Sequence, residues 1–147
     1  MLIRLQADQI SLFWDNIKDG LVRSMKVPDK YIQTFAIAQL IGLLNGDMQA
    51  WVGYDLDGNG GKILNYTLTT KIIDEKHYGS RILVICSLGG IRPLEGSMIE
   101  EVHEPIYKFA KANKCNVIAA EYSSKRVEEI LEAHGFKKFT STARLYI

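Results

Sequence analysis

Five consecutive apolar residues, Ile82-Leu83-Val84-Ile85-Cys86, constrain the fold of this chain more than any other feature. The run is too short for a buried helix, is rich in β-branched side chains and leaves no face for water. It predicts a central strand over residues 81–88, covered on both faces. The segment before it has a different period. Across residues 62–74, Leu64, Tyr66, Leu68, Thr70 and Ile72 share one face, and Asn65, Thr67, Thr69 and Lys71 share the other. With a strand at residues 50–54 and the turn Asp57-Gly58-Asn59-Gly60-Gly61, this predicts an antiparallel hairpin with one covered face.

Helical spacing flanks these strands. After a short strand at residues 2–6, Asp8 is the expected cap of a helix carrying Ile10, Phe13, Trp14, Ile17 and Leu21. Asp29 is the expected cap of a second helix, running to about Leu44 and ended by Asn45-Gly46. It is apolar on nearly all sides, which predicts burial. Beyond the central strand, Gly89-Gly90-Ile91-Arg92-Pro93 reads as a loop, with Gly89-Gly90 a bulge or turn that re-aims the strand edge. A helix over residues 94–113 has Leu94, Met98, Val102 and Ile106 on its stripe, and Pro105 predicts a kink or a late start. A strand at residues 116–122 follows, then a helix capped by Ser123 or Ser124 and stopped at Gly135. Residues 137–147 read as one long strand or a broken pair. The unit across residues 81–122 should be parallel. The fold class is therefore α/β with a mixed sheet, in the order β-α-α-β-β-β-α-β-α-β.

Composition narrows the class of function. In 147 residues, 18 Lys and Arg nearly cancel 17 Asp and Glu, which gives no electrostatic case for nucleic acid or a membrane surface. No apolar stretch reaches the ~20 residues that cross a bilayer. Cys86 and Cys115 lie in apolar surroundings, as reduced thiols do in a reducing compartment, although sequence leaves a disulfide between them open. One soluble, cytoplasmic domain over residues 1–147 is expected. Asp55-Leu56-Asp57-Gly58-Asn59-Gly60 matches the first half of an EF-hand calcium loop, but the twelfth position falls on Tyr66, which cannot supply the bidentate carboxylate. His77, His103 and His134 have no metal-ligand spacing, so no metal is expected.

The order of elements, together with Ser124-Lys125-Arg126-Val127 and Ala133-His134-Gly135-Phe136, resembles the GCN5-related N-acetyltransferase (GNAT) superfamily, whose pattern there is Asn-x-x-Ala, a short helix and Gly-Phe. Small acetyltransferase-like proteins of this kind occur in phages, and the chain is similar to that type. The resemblance implies acetyl-CoA as co-substrate and a primary amine as acceptor, in a pocket formed by the first two helices and the loop near His77. The family's pyrophosphate loop aligns with Arg92-Pro93-Leu94-Glu95-Gly96-Ser97. There Arg92, Gly96 and Ser97 are usable, while Glu95 replaces a glycine and Pro93 removes an amide donor. Ser124 stands for the family's Asn. The resemblance also implies that Ile85 and Ser87 offer main-chain hydrogen bonds to the pantetheine.

The family's usual tyrosine acid is missing before Gly135-Phe136, which leaves Glu121 and Tyr122 as the nearest titratable groups. Glu121 could take the amine's proton through water, and Tyr122 could protonate the thiolate. Read structurally, they are a solvated strand end and a packing residue. The competing function is a GNAT-like binding or assembly module without catalysis, which would not need residues 92–97 to hold pyrophosphate. An exposed last strand would allow a homodimer by strand addition.

Overall fold

The computed structural model describes residues 1–90, 95–140 and 143–145. Five strands form one sheet in the order β1-β2-β3-β4-β5: β1 Leu2–Arg4, β2 Met48–Leu56, β3 Lys62–Glu75, β4 Ser80–Gly90 and β5 Val117–Ala120. The first four are antiparallel neighbours, and β5 runs parallel to β4. The helices are α1 Ile10–Ser24, α2 Ile32–Asn45, α3 Gly96–Ala112 and α4 Lys125–Ala133.

The apolar run takes the place its composition demands, as β4 between β3 and β5, with Ile82, Leu83 and Val84 buried. One core joins α3 to the sheet through Leu68, Leu83, Met98, Val102 and Ile106. A second joins α1 and α2 to the other face through Ile10, Ile17, Leu21, Leu43 and Val52. The β2–β3 hairpin is thus covered on both faces, not one. Its apparently outward threonines, Thr67 and Thr69, are buried because hydroxyls satisfy them: Thr69 Oγ1 and Ser87 Oγ lie 2.6 Å apart, and Thr67 reaches the Gly89 carbonyl at 3.4 Å. The alternation also breaks once. Gly53 pairs with Tyr66 but Tyr54 pairs with Leu64, so Asn65 is bulged out of the β2–β3 register. Leu64 therefore packs into the α1–α2 core while Tyr66 and Leu68 pack under α3.

Several expected caps move. A short 3-10 turn, Ala7–Gln9, precedes α1, and its entry is closed by the Gln6 amide donating to Gln9 Oε1 at 2.8 Å, with Asp8 inside the turn. Asp29 likewise opens a 3-10 turn, Asp29–Tyr31, ahead of α2. Gly46 ends α2 in the left-handed conformation (φ 87°). The expectation that α2 is buried fails: Ala36 and Leu43 are buried, but Ile37, Ile41 and Leu44 are 52%, 57% and 51% exposed. The helix lies on the sheet as an outer layer, so its apolar outward stripe meets solvent. α3 begins at Gly96 and runs on through Pro105 as a single helix. Among the described residues, 137–140 and 143–145 form no strand, so the expected last strand is not seen there.

Candidate active site

The ladder between β4 and β5 runs from Ile82–Val117 to Ile85–Ala120 and closes with the Glu121 amide donating to the Ile85 carbonyl at 2.9 Å. Beyond that bond β5 ends, and β4 continues to Gly90 paired with β3 only. The departure coincides with a second bulge. Thr69 pairs with Ser87 and Thr70 with Ile85, leaving Cys86 without a partner on β3. A bulge bends its strand and increases local twist, so the two parallel strands splay here. The re-aiming expected at Gly89-Gly90 is thus centred on Cys86. Gly89 instead makes room for a crossing helix. The backbone of α1 passes over β4 at Gly20, where a Cβ on either glycine would press on the other's Cα.

A cavity of about 380 Å³ fills the splay. Its β4 wall is Ile85, Ser87, Leu88, Gly89 and Gly90, and its β5 wall is the run from Ala120 to Ser124. Arg23, Ser24 and Lys26 approach from the end of α1, and Val127 and Leu131 from α4. Ser123 Oγ donates to the Ser24 carbonyl at 3.1 Å, which ties the loop after β5 to the end of α1. A smaller cavity of about 200 Å³ on the α1 side shares Arg23, Tyr66, Gly89 and Gly90 with the first, and adds Asn16, Asp19, Asn65 and Thr67.

The splay brings together five of the residues singled out in the sequence: Ile85, Ser87, Glu121, Tyr122 and Ser124 all line this cavity. The Ile85 carbonyl is engaged by Glu121, so the free β4 edge on the β5 side begins after it. The Ser87 hydroxyl is committed to Thr69. Ser124 caps α4, its Oγ accepting from the Val127 amide at 3.2 Å. Gly96 and Ser97 form the first turn of α3, beside Met98 and Ile99, which do line the cavity. Glu95 holds the cap position with an extended backbone, and its carboxylate makes no cap hydrogen bond. Arg92 lies outside the described residues. His77 sits in the β3–β4 turn, at the end of the sheet opposite the splay, and does not line this cavity. Arg23 and Ser24 at the end of α1, and Lys26 just after it, line the cavity. Those three carried no sequence signal, since a basic helix end reads as a solvated one.

Burial raises the Cys86 thiol to about 11, with Glu121 adding to the rise and Lys71 opposing it. Burial and the Glu101 carboxylate, which accepts the Tyr66 hydroxyl at 3.0 Å, push the Tyr66 phenol far up. Neither group ionises near neutrality. Cys86 and Cys115 are both free thiols. The calcium-like residues form the hairpin turn, in which the Asp57 carboxylate accepts the Asn59 and Gly61 amides at 2.8 and 2.7 Å. Among the described residues no cluster of His, Cys, Asp or Glu could hold a metal, and no helix is long and apolar enough to cross a membrane.

No protein-family model matches the sequence, and no curated protein matches it. Solved structures do match the fold. A GCN5-related N-acetyltransferase from Ralstonia eutropha JMP134 superposes with a TM-score of 0.71 at 12% identity, covering 99% of this chain and 97% of that one. A protein from Clostridium acetobutylicum, named a predicted acetyltransferase and solved with acetyl-CoA, gives 0.70 at 16% identity, covering 99% and 95%. A ribosomal-protein-alanine N-acetyltransferase from Brucella melitensis biovar Abortus 2308 gives 0.64 at 12% identity, covering 99% and 98%. The chain has the GCN5-related N-acetyltransferase fold.

Proposed function

We propose that residues 1–147 act as one N-acetyltransferase domain, moving acetyl from acetyl-CoA to a primary amine. The observation that carries this reading is the cavity at the β4–β5 splay, where a strand edge, two helix N-termini and a basic helix end converge. The unpaired β4 edge at Ser87 suits main-chain hydrogen bonds from an amide-bearing arm. The first turns of α3, at Gly96 and Ser97, and of α4, beyond Ser124, offer amide groups and a positive dipole end to a diphosphate. Arg92 would add a cation there.

The amine would enter from the α1 side, past Arg23 and the smaller cavity. Its nitrogen bonds to the thioester carbonyl carbon, the C–S bond breaks with its electron pair going to sulfur, and the nitrogen's surplus proton is relayed to sulfur. Glu121 would accept that proton through water, and Tyr122 would deliver one to the thiolate. Positioning supplies much of the acceleration in such a transfer, so these groups need only modest strength.

Calorimetric titration with acetyl-CoA and with desulfo-CoA tests the reading. Micromolar binding is expected, weakened at least tenfold by Ser97→Glu, which sets a carboxylate on the exposed first turn of α3. No binding at millimolar ligand would sink the reading and leave a GNAT-shaped module without a cofactor.

A further inference from the structure

The cavity at the splay is lined by two cations from the end of α1 and by a carboxylate from the segment after β5. Arg23 and Lys26 are the cations, and Glu121 is the carboxylate. One hydrogen bond holds the two sides together, from Ser123 Oγ to the Ser24 carbonyl at 3.1 Å. Arg23 directly precedes Ser24, Lys26 follows two residues after it, and Glu121 comes two residues before Ser123.

The two cations are held differently. Arg23 Nη2 pairs with Asp19 Oδ2 at 2.6 Å. A guanidinium has five N–H donors in a fixed fork, so this pair orients Arg23 and leaves other donors unused. Lys26 makes no ion pair and no cation–π contact among the described residues. Its backbone is left-handed, with φ 47°, just past α1. Lys114 has the same conformation after α3, φ 60°, and lines neither cavity. That conformation is therefore a helix stop, and what sets Lys26 apart is its place on the cavity.

A plain alkylamine would meet Glu121 with its ammonium and leave both cations facing its uncharged remainder. An acceptor with a carboxylate beside the amine matches both signs. Its ammonium faces Glu121, which takes the proton, and its carboxylate faces Arg23 and Lys26. The four-carbon stem of Lys26 lets the ammonium follow a carboxylate on the α or the β carbon.

We infer that the acceptor is an amino acid, a small amine bearing its own carboxylate, which Arg23 and Lys26 hold while the amine attacks. The inference rests on the splay being the acetyl-transfer site. The carboxylate takes no part in bond making: the nitrogen gains the acetyl group, the CoA thiol leaves, and the product is an N-acetyl amino acid.

Acetyl transfer by the intact chain to alanine, β-alanine, leucine and phenylalanine, each beside its carboxamide, tests this, with products read by mass spectrometry. The carboxamide's amine is the weaker base and is less protonated at neutral pH, so intrinsic reactivity works against the carboxylate. kcat/KM should still favour the carboxylate, by about tenfold for one charge-assisted hydrogen bond. Lys26→Gly and Arg23→Gln should each lower that ratio, and Lys26→Glu should reverse it. Glycine suits the left-handed backbone at this position, so Lys26→Gly removes the charge without straining the fold. The ratio is read within one preparation, so any loss of folded protein cancels. A wild-type ratio near one, or a ratio unchanged in both neutral variants, would overturn the inference and leave the acetyl-CoA site standing. So would turnover of none of these acceptors by a chain that binds acetyl-CoA. Weakened acetyl-CoA binding in Lys26→Gly with the ratio kept would assign the lysine to the CoA phosphates, again overturning it. Failure of acetyl-CoA to bind the wild type would overturn both this inference and the proposed function.

Discussion

Thr69 and Ser87 bury two hydroxyls in the middle of the sheet, at 0% and 2% exposure, and each satisfies the other at 2.6 Å. Removing one partner leaves a desolvated hydroxyl unpaired, whereas removing both leaves none. Thr69→Val or Ser87→Ala alone should therefore cost about 1–3 kcal/mol, and the double variant clearly less than the sum. Urea unfolding of the four proteins in the cycle checks this, and strict additivity would refute the pairing. Gly89 is a second residue whose identity is dictated by contact. An Ala there would drive its Cβ into the Gly20 backbone of α1, so Gly89→Ala should lose about 1–3 kcal/mol in the same assay.

Cys86 ties a residue to pH. Its folded thiol titrates at about 11, above its ordinary 9.0, because burial disfavours the thiolate. The unfolded chain then releases its proton first as pH rises. The stability this supplies is intact below about pH 9 and is lost as pH climbs through 9 to 11. Cys86→Ala should flatten that part of the stability curve. Ellman labelling at pH 8 should be slow for the native protein and fast in urea.

Among the elements, α2 separates composition from burial. Residues 32–45 contain no charged side chain, so periodicity points to an all-round buried helix. The structure instead buries Leu43 and exposes Ile37, Ile41 and Leu44. Ile41→Gln should then change stability by no more than about 0.5 kcal/mol, while Ile17→Ala, at a fully buried site on α1, should cost about 2–5 kcal/mol. Thermal melts of the two variants discriminate between an outer layer and a core helix.

The strands were legible for a physical reason: Ile82 to Cys86 can hide from water only at the centre of a sheet. The bulges at Asn65 and Cys86 were not legible. Each depends on register against a partner strand, and register is a property of pairs rather than of one segment. Thr67 and Thr69 misled for a related reason, since a hydroxyl looks solvent-facing until its buried partner is known. Ile85, Ser87 and Ser124 were singled out through the family resemblance, and Glu121 and Tyr122 as the nearest titratable groups at a strand end; all five line the cavity. Arg23 and Lys26 were missed because they reach the cavity only through the docking of α1 on β4.

At the scale of the whole molecule, a bulge at Cys86, a strand that stops at Ala120 and a helix that docks at Gly89 together open one cavity through the sheet. The proposed activity requires acetyl-CoA to enter there. Amide NMR spectra recorded during an acetyl-CoA titration would locate the ligand residue by residue. Saturable shifts are expected at Ser87 to Gly90, at Glu121 to Val127 and at Gly96 and Ser97, with none in the β3–β4 turn around His77 at the opposite end of the sheet. Shifts confined to other surfaces, or none at millimolar ligand, would rule out the splay as the CoA site.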